Sequence, residues 1–454
     1  MKRLLSLLLC AGLLAAPALA AEDAQPQPQT IAPWAYDAMS EAAALGIWED
    51  SMIYCIQDPV TQEQLADMTA VVADKLALLE LPVNTGTSDP DALVIDTTRR
   101  GVMNALYQEA AAYALEGVDH SVVDFLSGLG VVQGDGADLA LERPCTLQEA
   151  LVMAQRLVLS LYDRYDAGAQ GLLWKAEANG NTLYLLGTIH VDRGNIYPFH
   201  KSLRDAITAS QDAIFEVDFG DVADIQAFQA MQYYSDGTTL KDHVSAEIYD
   251  KAVAAGAALP APYTLDEATV AMFKPWALAN LINSIGLMDE SSGETPEAID
   301  VYVYSKSMNN GLTVDAVESY VYQGTHIYEG LSEEYQEAYL GAALDTDYTG
   351  ASTEADDPIA TVDAMLDAWK VRDPAAFDAV YGKDAMVEQG DEYTQRLFAD
   401  RDPGMIAYAD TYLKQAGGGH TGFLAVGAGH MVGKTGVVQG LKDLGYTVEL
   451  VPVG

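Results

Sequence analysis

Two apolar runs with the same ending, Leu183 to His190 (LYLLGTIH) and Phe423 to His430 (FLAVGAGH), constrain this chain more than any other feature. Each reads as a buried strand and closes in Gly-x-x-His, so an imidazole is delivered where the strand gives way to a loop or helix. In an open α/β sheet, ligands bind beyond the carboxyl ends of the strands. Histidines at two such ends therefore mark a candidate site. The glycine three residues before each histidine points to a tight turn or unusual backbone angle at the rim of a pocket.

The surrounding segments supply a sheet and carboxylates. Leu172 to Asn179 and Thr182 to Leu186 flank Asn179-Gly180, a dipeptide suited to a two-residue hairpin turn that needs positive φ twice. Ala213 to Phe219 (AIFEVDF) reads as the next strand, and its alternation puts Glu216 and Asp218 on one face. Residues from Phe228 to about Asn283 read as mainly helical, with Pro275 marking a helix start or kink. Leu312 to Val317 reads as a short strand that brings up Glu318, and a helical stretch from Tyr393 to Gln415 carries Arg396 and Arg401. Strand Phe423 to Val426, helix Val432 to Leu444 and strand Tyr446 to Val451 close the chain as a β-α-β unit. The fold class expected over residues 170–454 is α/β (α+β), a central sheet with a helical insertion.

Residues 31–165 read differently, as an all-α accessory domain of short amphipathic helices with an internal repeat. Ala44-Leu45-Gly46-Ile47, then Pro59-Val60-Thr61, then a helix with Gln64 is one copy. Gly128-Leu129-Gly130-Val131, then Pro144-Cys145-Thr146, then a helix with Glu149 is the other. In both, glycine stops one helix, and threonine with an amide or acid three residues on starts the next. Together with Trp34-Ala35, these stretches resemble S-layer homology modules, a likeness that implies binding to cell-wall polymers. Pro82 to Pro90 (PVNTGTSDP) reads as the linker between the copies.

At 454 residues the chain exceeds one core, which agrees with this division. Its net charge of −43 and the absence of any Lys/Arg cluster argue against nucleic-acid binding. Lys2-Arg3, the apolar Leu4 to Leu14 and Ala18-Leu19-Ala20 form a signal peptide over residues 1–20, so the mature chain is expected to be secreted or extracytoplasmic, with no transmembrane helix. Cys55 and Cys145 then remain, and either a disulfide or two buried thiols fits the sequence.

Imidazole is the commonest metal ligand, and carboxylates on neighbouring strands could complete an open shell around a divalent ion. Other templates fit less well. No His-Glu-x-x-His helix, Gly-x-Ser-x-Gly elbow or catalytic-cysteine context is present. GAGHMVGKT has Ala428 where a phosphate loop needs Gly and Val432 where a dinucleotide loop needs Gly or Ala.

Gly187-Thr188-Ile189-His190, Tyr197-Pro198, Glu216-Val217-Asp218, Val317-Glu318-Ser319 with Gln323, Arg401, Gly427-Ala428-Gly429-His430 with Gly433, and Gly445-Tyr446 follow in order. This series resembles the TraB/GumN family, which is related to the Tiki metalloproteases and more remotely to erythromycin esterases and ChaN-like haem-binding proteins. The resemblance implies an α/β fold in which His190, His430, Glu216, Glu318 and Arg401 converge. Two departures stand out: Ala298 where the family usually has Gly before Asp300, and Asp402 where Asn usually follows Arg401.

The expected function is an exported metal-dependent hydrolase acting on a peptide or small-molecule substrate. His190 and His430 would bind Zn²⁺, Mn²⁺ or Co²⁺, Glu216 would be a further ligand or general base, Glu318 a second ligand or proton shuttle, and Arg401 an oxyanion stabiliser. Two alternatives are a non-catalytic haem or small-ligand binding protein and a wall-associated adaptor acting through the N-terminal domain.

Overall fold

The N-terminal part contains helices α1 (Tyr36–Ala44), α2 (Gln62–Ala77), α3 (Arg99–Ala111), α4 (Val122–Gly128) and α5 (Leu147–Arg164). The computed structural model describes residues 27–85, 93–134, 138–190, 196–287, 298–348 and 357–453. The expected signal peptide, part of the linker and most of the acidic run 345–357 lie outside the described residues. By internal contact the chain divides into a helical unit, mainly residues 27–169 with 196–204, and an α/β unit, mainly 170–190 with 205–452.

In the helical unit both repeat signatures take the expected local form. Ile47 N–H donates to the Ala42 carbonyl and Gly46 N–H to that of Ala43, while Val131 and Gly130 repeat these bonds to Leu126 and Ser127. Gly46 and Gly130 take φ of 73° and 72°, so each helix ends in a left-handed glycine cap. Thr61 with Gln64 and Thr146 with Glu149 form reciprocal capping boxes. A third helix start was not legible in the repeat: Thr98 caps α3 by accepting the Gly101 N–H. The three segments before these helices meet, with Val60 N–H bonded to the Cys145 carbonyl and Cys145 N–H to that of Thr97. Cys55 and Cys145 are free thiols.

The α/β unit is built on one sheet of order β4-β3-β5-β2-β1-β6. Asn179 and Gly180 have φ of 53° and 80°, as the hairpin between β1 (Leu172–Ala178) and β2 (Asn181–Thr188) requires. Strands β2, β5 (Thr421–Gly427), β3 (Asp212–Phe215) and β4 (Thr313–Ala316) run parallel side by side. β5 is buried from Gly422 to Gly427, consistent with its uninterrupted apolar sequence. Connections between β3 and β4 include the helices α6 (Pro275–Leu287), which starts at Pro275 as expected, and α7 (Ile299–Asn309). Helix α8 (Glu333–Leu344), which follows β4, packs against α6.

Two sequence expectations change here. β3 ends at Phe215, so Glu216 and Asp218 do not share a strand face; Asp218 instead accepts the Gly220 N–H at 2.8 Å in a turn. The closing segment also differs. After β5 come a short helix α10 (Ala428–Met431), a loop and α11 (Val437–Asp443), with α9 (Asp402–Leu413) preceding β5. The last strand, β6 (Val448–Leu450), pairs antiparallel with β1 at the far edge, with β2 and β1 lying between it and β5.

Candidate functional site

Four adjacent parallel strands deliver four candidate side chains at their carboxyl ends. His190 follows β2, His430 lies in α10 just after β5, Glu216 follows β3 and Glu318 follows β4. Thr188 pairs with Gly427 across β2 and β5, so the two Gly-x-x-His motifs stand in register. A Cβ added to Gly427 would lie 3.1 Å from Glu216 Oε1, 3.7 Å from His190 Nε2 and 3.7 Å from His430 Cδ2. Glu216 and both histidines therefore border one point, which only glycine leaves open.

The motif glycines serve close approach rather than unusual backbone angles. Neither Gly187 nor Gly427 has a positive φ. A Cβ on Gly187 would come within 2.9 Å of the Ala428 Cα, and one on Gly429 within 2.7 Å of the Tyr381 hydroxyl. The Gly187 carbonyl accepts the indole N–H of the buried Trp369 at 2.6 Å, which anchors the end of β2.

Arg401, 1% exposed, organises the acids. Its Nη2 donates to Glu216 Oε2 at 2.7 Å and to Glu318 Oε2 at 2.8 Å, while Nε reaches both Glu318 oxygens at 3.0 Å. Gln323 Nε2 donates to Glu216 Oε2 at 3.1 Å and to Glu318 Oε2 at 3.0 Å. The other Glu216 oxygen, Oε1, accepts the Gly427 N–H at 2.6 Å. Burial pushes the Glu216 carboxyl up, but Arg401, the two histidines and this N–H outweigh it and hold the group down to about 2. Glu216 is thus an ionised buried carboxylate.

Each histidine is aimed by an aspartate. His430 Nδ1 lies 2.7 Å from Asp402 Oδ1, and His190 Nδ1 lies 2.9 Å from Asp300 Oδ2. A carboxylate can only accept, so the proton is assigned to Nδ1 and Nε2 presents a lone pair in each neutral ring. His430 Nε2 then receives Arg401 Nη1 at 3.1 Å. His190 Nε2 is buried and has no hydrogen-bond partner among the described residues. Burial disfavours the His190 cation, yet Asp300 and Glu216 raise its pKa overall. Asp402 also pairs with the fully buried Lys383, whose Nζ lies 2.8 Å from Oδ2 and 4.8 Å from the Phe398 ring centre.

The sequence candidates His190, His430, Glu216, Glu318 and Arg401 are all brought together, whereas Asp218 and Arg396 are not. Arg396 donates to the His326 carbonyl at 2.9 Å. Asp300, Asp402 and Gln323 stood in or beside the quoted motifs without an assigned role. Lys383 and Tyr381 carried no sequence signal. Two π-helical turns adjoin the site, Gly324–Glu329 directly after Gln323 and Gln395–Ala399 two residues before Arg401. Such turns re-aim side chains that a regular helix would place elsewhere.

A buried imidazole nitrogen without a partner among the described residues, a second aspartate-aimed imidazole and an ionised carboxylate border the point above Gly427, and these are donor types that a divalent ion takes. As arranged, Arg401 holds His430 and one Glu216 oxygen, and among the described residues no three His, Cys, Asp or Glu side chains form a metal-holding cluster. No described helix is long and apolar enough to cross a membrane. No curated protein and no solved structure matches the chain. The model of the TraB/PrgY/gumN family matches residues 172–450, the span that holds the sheet and every residue of this site, and the chain belongs to that family.

Proposed function

We propose that the protein is an exported, metal-dependent hydrolase of peptide bonds. The observation that carries this reading is the buried His190 Nε2, which has no hydrogen-bond partner among the described residues and borders the same point as Glu216 Oε1, with its other nitrogen fixed by Asp300. A carboxylate on the far nitrogen is the usual support for a metal-bound histidine. His190 Nε2 and Glu216 Oε1 would hold the ion, and His430 Nε2 would complete the set in exchange for its contact with Arg401. When bound, a Zn²⁺, Mn²⁺ or Co²⁺ ion would supply a Lewis acid and lower the pKa of a water molecule.

The remaining roles fall to the chain's own groups. Glu216 is ionised at neutral pH and is suited to share in ligation; held down to about 2 by Arg401 and the histidines, it is a weak base until that pairing is released. Arg401 carries fixed positive charge in a buried place, where it can stabilise an oxyanion. Glu318 holds its guanidinium in position, and Gln323 braces the Glu216 and Glu318 carboxylates that do so. Asp300 and Asp402 orient the imidazoles.

Elemental analysis of the purified protein and of His190→Ala and His430→Ala variants tests this reading, together with cleavage of a peptide mixture followed by mass spectrometry. The expected result is about one equivalent of a first-row divalent ion that both variants lose, with cleavage lost in parallel. Full metal content in folded variants would overturn it, as would a haem absorbance band in the purified protein. N-terminal sequencing of the exported chain should begin at Ala21.

A further inference from the structure

A cavity of about 540 Å³ opens beside Glu318 and Arg401 and runs away from them along α9. Its wall includes Gly404, Ala407, Tyr408, Thr411 and Tyr412, which recur every three or four residues and so form one face of the helix, and Gln415 just beyond its end. The helical part of this wall, Gly404 to Tyr412, spans about 12 Å at about 1.5 Å per residue. That length takes about four residues of an extended chain, at about 3.3 Å each. A small metabolite would leave most of it empty.

The cleft is aromatic and negatively charged. Tyr408 donates its hydroxyl to Asp315, and Tyr412 donates to Asp212 Oδ2 at 2.7 Å. Burial first, and then the neighbouring aspartate, raise the pKa of both phenols, so each stays a protonated hydrogen-bond donor. Among the described residues no lysine or arginine pairs with Asp212 or Asp315. Tyr322 lines the end near the site and stacks on His326 with ring centres 5.3 Å apart. The one arginine in the wall, Arg401, already faces the carboxylates of Glu216 and Glu318. Tyrosine rings backed by carboxylates that no described lysine or arginine neutralises attract an alkylammonium or guanidinium group.

We propose that this cleft binds an extended peptide and seats one of its lysine or arginine side chains between Tyr408 and Tyr412, beside Asp315 and Asp212. The assignment rests on the reading of the adjoining site as a peptide hydrolase and gives that site a substrate class, peptides carrying a basic residue a few positions from the reacting bond.

Calorimetric titration of the full chain with capped peptides of about six residues, identical but for a central Lys, Gln or Glu, tests it without requiring turnover. The Lys peptide should bind at least about tenfold tighter than the others. Asp315→Asn should remove about five- to tenfold from the Lys peptide alone. Ala407→Trp, an exposed position on the cleft wall, should abolish binding of all three while circular dichroism remains native. Equal binding of Lys and Gln peptides overturns the proposal, as does Lys-peptide binding that survives Ala407→Trp, since that reports attraction to the acidic surface at large. Lysine amide binding as tightly as the peptide also overturns it in favour of a small amine. Selective binding with no cleavage under any of the three metals would remove the hydrolase and keep the cleft, whereas cleavage indifferent to side-chain charge would remove the cleft and keep the hydrolase.

Discussion

Arg401 is the residue on which the buried acids depend. Glu216 and Glu318 face it from two strand ends, and both side chains are under a tenth exposed. Arg401→Met would leave two carboxylates buried without a counter-charge, and breaking such a pair costs about 3–5 kcal/mol. Chemical denaturation should show a loss of that order, and a loss below about 1 kcal/mol would mean that water already reaches the acids. The pH dependence follows from Glu216. Its carboxyl is held down from an ordinary 4.5 to about 2, so its contribution is present above the ordinary value and disappears as pH falls towards 2. The stability gap between wild type and Glu216→Gln should therefore narrow as the medium is acidified through this window. His190 has the opposite sign. Asp300 raises its pKa, and a proton on Nε2 competes with a metal there. Asp300→Asn should move the pH midpoint of metal uptake downward and weaken uptake at alkaline pH by about 10–100-fold. An unchanged midpoint would separate Asp300 from the metal site.

At the scale of elements, the two Gly-x-x-His turns are packing devices. β2 and β5 lie side by side, and α10 crosses the end of β2 so closely that Gly187 meets the Ala428 backbone. Gly187→Ala forces backbone apart rather than a side chain, which places its cost at about 1–3 kcal/mol, and it should displace His430 with α10. Denaturation read together with the His430 ring resonances would check both parts; unchanged rings would detach α10 from the close contact. This use of glycine was hidden in the sequence, where close approach and positive φ leave the same letter. The strand ends were legible because unbroken apolar runs mark buried parallel strands. The length of β3 was not, since alternation continues through Asp218 although the chain turns after Glu216. In the helical unit, Thr61 and Thr146 announced themselves by a partner three residues on. Thr98 did not, because its cap is closed by Gly101, which has no side chain to return the bond.

For the whole molecule, what could be read in advance divides along the same line as the site. Residues that end strands came with a local pattern, and four of them in this chain, together with Arg401, were recognisable as a series. Asp300 and Lys383 arrive from separate helices or loops, 110 and 47 residues in sequence from the histidines they serve. No periodicity connects such positions, and only folding reveals them. Charge works at the same global scale. A formal −43 spread over 67 acids and 24 bases leaves most carboxylates without a cation, so the folded chain repels itself. Raising salt from about 10 mM to about 500 mM shortens the Debye length from about 30 Å to under 5 Å. Surface repulsion should fade while the buried Arg401 and Lys383 pairs, being shielded from solvent, change little. The melting temperature should therefore rise with sodium chloride. A fall would mean that surface ion pairs such as Arg143 with Glu149 stabilise the fold more than the excess acid destabilises it.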